Sequence, residues 1–152
     1  MDIATDTTRI SRTPDSSTSA RWGLPRWQAI VAGAAGAVVL NLAVYLVATA
    51  AGASLVLAQP TGPHVVTAGG VAFSSLVPLL PATAVAVLLS LWKAWFLRLA
   101  QVIGTGLGLL SIAGPLLADT DGGTRIALAS MHFVVAAAVF TGLELAHRAA
   151  TR

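Results

Sequence analysis

The sequence predicts an all-α fold: an integral membrane four-helix bundle with a kinked second helix and a disordered N-terminal tail. Three observations carry this. Of the 152 residues, 56% are hydrophobic and only 10% are charged, and the mean hydropathy is +0.81. A soluble domain carries about 25% charge. A chain of this size leaves roughly a third of its area wet after folding, which so few charges cannot cover. Next, no charged side chain occurs between Arg26 and Lys93. Last, four apolar segments have close to the ~20 residues that a helix needs to cross a ~30 Å hydrocarbon core.

These properties exclude several classes of protein. With no cysteine, disulfides, thiolate catalysis, zinc–thiolate sites and iron–sulfur clusters are all ruled out. The net charge of +3 and the pI near 10.7 would suit nucleic acid. A nucleic-acid surface, however, gathers many cations on one face, and the long uncharged stretch leaves no such face. No nucleic-acid partner is expected.

Residues 1–20 are rich in Ser, Thr and Asp and have no apolar period. They cannot bury enough surface to offset ordering entropy, so a disordered tail is expected ahead of a transmembrane domain over 21–152. The first span is expected at about 27–51. It is too long for the 7–15 residue core of a cleaved signal peptide, and its leader is too long as well. Gly52 to His64 then reads as a loop, because Gln59-Pro60 and Gly62-Pro63 forbid a continuous helix. The second span, about 66–92, contains Pro78 and Pro81. These rob the carbonyls of Ser74 and Val77 of their helical donors and predict a kink. A turn over Trp92 to Arg98 precedes the third span, about 99–117, which Gly114-Pro115 breaks near its end. After the polar loop Ala118 to Thr124 comes the fourth span, about 125–146.

Four crossings put both termini on one side. Arg9, Arg12, Arg21, Arg26, Lys93, Arg98, Arg148 and Arg152 fall on that side, and Arg125 alone on the other. The positive-inside rule makes the richer side cytoplasmic. Trp22, Trp27, Trp92 and Trp95 flank spans at the same face, where indoles favour the headgroup layer. The expected location is the cytoplasmic membrane, multi-pass, with the lipid bilayer as first partner.

Lipid tails are as apolar as leucine, so helix association must rely on close backbone approach and interhelical hydrogen bonds. Gly104 and Gly108 form a GxxxG step in the third span. It can serve a dimer face, and close packing within one bundle is the preferred reading. Polar groups inside a membrane are costly and default to functional candidates. At ~1.5 Å per residue, Asn41, Ser111, His132 and the pair Ser74 and Ser75 all lie about 8–12 Å below the outer surface. Tyr45 is one turn above Asn41 on the same face. Asn41, Ser74, Ser111 and His132 are expected to meet in the bundle interior, with Tyr45 as a lid. The layer reads either as hydrogen-bonding glue, which is preferred, or as a ligand pocket or proton relay built on His132. Gln101 and Glu144 lie near the cytoplasmic end, where Glu144 can pair with His147 or Arg148 at i+3 and i+4.

Catalysis is not expected. No histidine is spaced to pair with a buried acid, and a hydrolase needs nucleophile, base and orienter within reach. No metal site or cofactor is expected either. Only His64 and His132 could approach a shared ligand depth, and nothing in the loop brings them together.

Asn41-Leu-Ala-Val-Tyr45, Gly52-Ala-Ser-Leu, Leu76-Val-Pro78 and Leu128-Ala-Ser-Met-His132 together resemble a family of uncharacterised four-helix membrane proteins common in actinobacteria, over about residues 27–146. The resemblance implies the four-span topology and brings no activity or cofactor. The expected function is that of a small structural or accessory membrane subunit, self-associating or bound to another membrane protein. The alternative is a small transporter, channel element or ligand or pH sensor that uses the outer polar layer.

Overall fold

The computed structural model describes residues 26–93 and 95–150; the expected tail over 1–20 and Trp22 lie outside them. The chain runs α1 (Arg26–Ala50), β1 (Val56–Gln59), β2 (Gly62–Val65), α2 (Ala68–Leu76), α3 (Leu79–Ser90), α4 (Trp95–Leu110), α5 (Ala113–Leu117) and α6 (Gly122–Ala150). Four helical stretches are long and apolar enough to cross a membrane: Ile30–Ala50, Ala68–Ser90, Trp95–Leu117 and Gly122–Ala149. The second is formed by α2 with α3, and the third by α4 with α5.

Three local features differ from the sequence reading. Gly52 to His64 is not an irregular loop: Val56 pairs with Val65 and Gln59 with Gly62 in an antiparallel hairpin turning at Pro60 and Thr61. Gly62 has φ +119, a backbone open to glycine at no steric cost. Trp95 to Arg98 are not a turn but the first turn of α4. The third span divides at Ser111 and Ile112, ahead of Gly114-Pro115. Pro115 has no N–H to give the Ser111 carbonyl, which accepts instead from the Gly114 N–H (3.2 Å). The second span divides too, at Val77 and Pro78, where Pro78 has no N–H to give the Ser74 carbonyl and the Val77 N–H donates to the Phe73 carbonyl (2.9 Å).

The helix α6 is the spine. It packs along α1 on one side and α4 on the other, while α2 packs mainly on α1 and α3 mainly on α4. These contacts run over small residues. A Cβ at Gly33 would sit 3.7 Å from Gly142 Cα, and one at Gly108 only 2.9 Å from Ala136 Cβ. Gly104 and Gly108 therefore face α6 of the same chain.

Two apolar clusters close the ends. The first joins Ala86, Leu97, Leu143 and Ala146. At the hairpin end, Ala48, Leu55 and Ala127 pack with Tyr45 and Val66. Leu55 has φ +52, a left-handed backbone costly for a branched residue. It is held there by burial and by two hydrogen bonds: its N–H donates to Thr124 Oγ1 (2.8 Å), and its carbonyl accepts from Val66 N–H (2.8 Å). Trp92 and Trp95 stay exposed at the opposite end, and Trp95 stacks on Phe96 with ring centroids 4.9 Å apart.

Candidate functional site: a cavity between the halves of the bundle

Between the two packed ends lies a cavity of about 910 Å³, bounded by the hairpin, α2–α3, α4–α5 and α6. It arises because the second span changes partner. Since α2 follows α1 and α3 follows α4, α2 and α4 meet at most marginally, and the seam between them is left open. On its α4 wall, Ile103 and Leu107 are more than half exposed. The walls are mostly aliphatic, and among the described residues no Asp, Glu, Lys or Arg lines them.

Five of the six members of the polar layer line this cavity: Asn41, Ser74, Ser75, Ser111 and His132. Tyr45 does not. It packs in the apolar cluster at the hairpin end, so it is no lid. The reason is the angle around α1: Asn41 turns toward α2, whereas Tyr45, one turn on, meets the returning hairpin segment and α6.

The layer does little to bridge helices. Ser74 donates to the Val71 carbonyl (3.2 Å) and Ser75 to the same oxygen (2.7 Å). Ser111 donates to the Gly108 carbonyl (2.6 Å). Each hydroxyl is thus satisfied by its own helix. Among the described residues the one side-chain bond between helices in the layer is Asn41 Nδ2 donating to Ser75 Oγ at 2.9 Å. Because the Ser75 proton is committed to Val71, its oxygen must accept, and this fixes the Asn41 amide with Nδ2 toward Ser75. Asn41 is 2% exposed, and its Oδ1 finds no hydrogen-bond partner among the described residues. A buried acceptor left unmatched costs about 1–3 kcal/mol.

His132 is fixed by similar logic. Its Nδ1 lies 2.8 Å from the Leu128 carbonyl. A carbonyl only accepts, so in this contact Nδ1 carries the proton and donates. His64 lines the same cavity from β2, together with Gln59 and Leu57. Among the described residues no three His, Asp or Glu gather to hold a metal ion.

Apart from the Glu144–Arg148 pair, sequence reasoning missed the two polar knots that close the ends of the bundle. At the hairpin end, Asp121 precedes α6 and caps it, accepting from Thr124 N–H at 2.9 Å. The same carboxylate accepts from the hydroxyls of Ser54 and Thr124 and from Ser54 N–H at 3.2 Å. Thr120 Oγ1 donates to the Val56 carbonyl (2.6 Å), Ala58 N–H to the Asp119 carbonyl (3.1 Å), and Arg125 to the carbonyls of Ala118 (3.1 Å) and Thr120 (3.4 Å). The hairpin is thereby fastened to the α5–α6 loop. The Ser54 hydroxyl first, then the Thr124 hydroxyl and N–H, hold the Asp121 carboxyl well below the usual carboxylate range. At the other end, Glu144 accepts from Arg98, Arg148 and Gln101. Gln101 also donates to the Phe140 carbonyl (3.0 Å), tying α4 to α6. The Arg148 contact was legible from i,i+4 spacing, but the Arg98 and Gln101 contacts cross 46 and 43 residues of chain. For Asp121 a signal existed, since an aspartate three residues before a threonine at the head of an apolar run is a helix N-cap pattern.

The family described as "Family of unknown function (DUF6069)" matches residues 23–149. The chain belongs to this family. The match takes in all four spans, the hairpin and both knots, so the cavity lies wholly inside the family domain. No curated protein matches the chain, and no solved structure does.

Proposed function

We propose that this member of DUF6069 is a non-enzymatic accessory protein of the cytoplasmic membrane, with both termini inside, that holds a small ligand in the cavity between its helices and acts as a sensor or carrier subunit. The observation that carries this is the cavity of about 910 Å³ with Asn41, Ser75 and His132 in its wall. Ligand sites have volumes of about 300–1,000 Å³, apolar walls and a few convergent polar groups. The alternative role for the polar layer, as glue, is supported by the single Asn41–Ser75 bond; glue alone gives no reason for the space beside it. A kink at Pro78 turns the second span from α1 to α4 and so opens that space.

Non-enzymatic action is supported by the wall chemistry. A nucleophile needs a base and the base an orienter, and the contact that orients His132 is a backbone carbonyl. Orientation is supported by the asymmetry of eight cations to one. Reporter fusions at residue 121 are expected to report outside the cell, and fusions at 95 and 152 inside; the reverse pattern overturns the orientation.

Ala82 lines the cavity and is exposed within it, so an Ala82→Trp substitution fills the space without burying a polar group. Native mass spectrometry of protein released from its own membrane is expected to show wild type carrying an extra mass of small-molecule size. The Ala82→Trp protein, with an unchanged helical circular-dichroism spectrum, is expected to be bare. Equal retention in both, or none in either, rejects a ligand-binding cavity.

A further inference from the structure

We infer that the ligand of this cavity is an uncharged, single-chain amphiphile with a hydroxyl headgroup, taken up sideways from the bilayer through the seam between α2 and α4. This rests on the cavity being a ligand site and adds the chemistry and the route.

The absence of charge follows from the walls. Among the described residues no acidic or basic side chain lines the cavity, so a phosphate, carboxylate or ammonium group would enter without a counter-ion from them, and an unpaired charge in an apolar site is strongly disfavoured. The hydroxyl follows from the polar atoms. Asn41 lines the cavity and its Oδ1 has no hydrogen-bond partner among the described residues, and in the tautomer that donates from Nδ1 to the Leu128 carbonyl His132 offers Nε2 as a second acceptor. Both call for a donor, which an alkane, ketone or ester cannot give. The chain follows from the remaining length: from Asn41 and His132 the cavity continues past Val135 and Val139 to Leu143 with aliphatic walls. The route follows from what stands around the cavity. The hairpin places Leu57, Gln59 and His64 at its outer end and is fastened by Asp121 and Thr120 to the α5–α6 loop. The side between α2 and α4 has no such closure, and Ile103 and Leu107 are accessible there.

The test uses three photoreactive C12 chains of one design, each with a diazirine near the tail: an alcohol, the matching carboxylate and the matching alkane. Purified protein in phosphatidylcholine nanodiscs is irradiated with each, and labelled peptides are mapped. The alcohol is expected to label Val135 to Leu143 at least fivefold more than the carboxylate or alkane. Asn41→Leu and His132→Leu are each expected to reduce that labelling at least threefold, with helical content preserved. Ile103→Trp, at the lateral opening, is expected to slow labelling without changing its final pattern. If all three chains label these residues equally, and Asn41→Leu and His132→Leu change nothing, the cavity binds chains but the headgroup assignment falls. If the carboxylate labels best, the uncharged assignment falls. If no probe labels cavity residues, the cavity itself is not a ligand site. An unchanged rate in Ile103→Trp rejects the lateral route.

Discussion

Replacing Gly108 by isoleucine is expected to break the α4–α6 interface and unfold the bundle well below the wild-type midpoint. Even a methyl group here would sit 2.9 Å from Ala136 Cβ and 3.1 Å from Ala136 Cα. The second of these atoms is backbone and cannot rotate away. Overpacking a tight site costs typically about 1–3 kcal/mol, and three further heavy atoms against a backbone put Gly108→Ile at the top of that range or beyond. Two neighbours calibrate the effect. At Gly104 the added Cβ meets only the Val139 Cγ1 tip, at 2.9 Å, so Gly104→Ala is expected to cost less than Gly108→Ala. At Gly106 nothing lies within 4 Å, so Gly106→Ala is expected to be neutral or stabilising by about 0.5–1 kcal/mol through lower chain entropy. Titration with dodecyl sulfate in mixed micelles, followed by circular dichroism, reads the order. A Gly108→Ile protein that keeps wild-type stability and loses only self-association would move the GxxxG step from the bundle interior to a dimer face.

The second large effect concerns the knot at the hairpin end. Asp121→Ala removes the acceptor for the Ser54 hydroxyl and N–H and for the Thr124 hydroxyl and N–H. It uncaps α6 and releases the segment that holds Leu55 in its left-handed backbone. A lost N-cap in a chain of this size corresponds to a thermal midpoint lower by roughly 2–8 °C. The dependence on pH has a definite sign. In the folded protein the Asp121 carboxyl is held below its ordinary value, first by the Ser54 hydroxyl, so around pH 4 the folded state binds fewer protons than the unfolded chain. The stabilisation is therefore complete above the ordinary carboxylate pKa of about 3.9 and fades as the pH falls toward the folded value. The midpoint difference between wild type and Asp121→Asn is expected to be constant from pH 7 to 5 and to shrink below pH 4. Because Asp121 is exposed, solvent screening keeps this shift moderate and lowers it further in salt. A difference that grows on acidification contradicts the role given to this carboxylate.

The two knots explain how a bundle with an open middle holds together. In the proposed membrane setting, apolar contact contributes little between helices, so a space in the centre costs less than in a water-soluble core. The ends are secured by directional bonds, through Asp121 at the hairpin and Glu144 at the opposite end. Polar residues in the centre are then free of a purely structural task, as the self-satisfied hydroxyls of Ser74 and Ser111 illustrate.

The presence of four long apolar helices was legible from the sequence by itself, because an apolar stretch of this length depends on composition alone. The place of Asn41, Ser75, Ser111 and His132 along each helix could be counted, since the rise per residue is constant. Rotation about each helix could not, because it depends on how neighbouring helices pack; that is why Tyr45, expected in the layer, belongs to the cluster at the hairpin end. The hairpin was hidden because β1 and β2 are four residues each and gain part of their pairing from Asp119 and Thr120, about 60 positions away. Only the tertiary structure decided that α2 follows α1 while α3 follows α4. This divergence separates α2 from α4 and makes a cavity out of residues that, along the chain, share nothing but their depth.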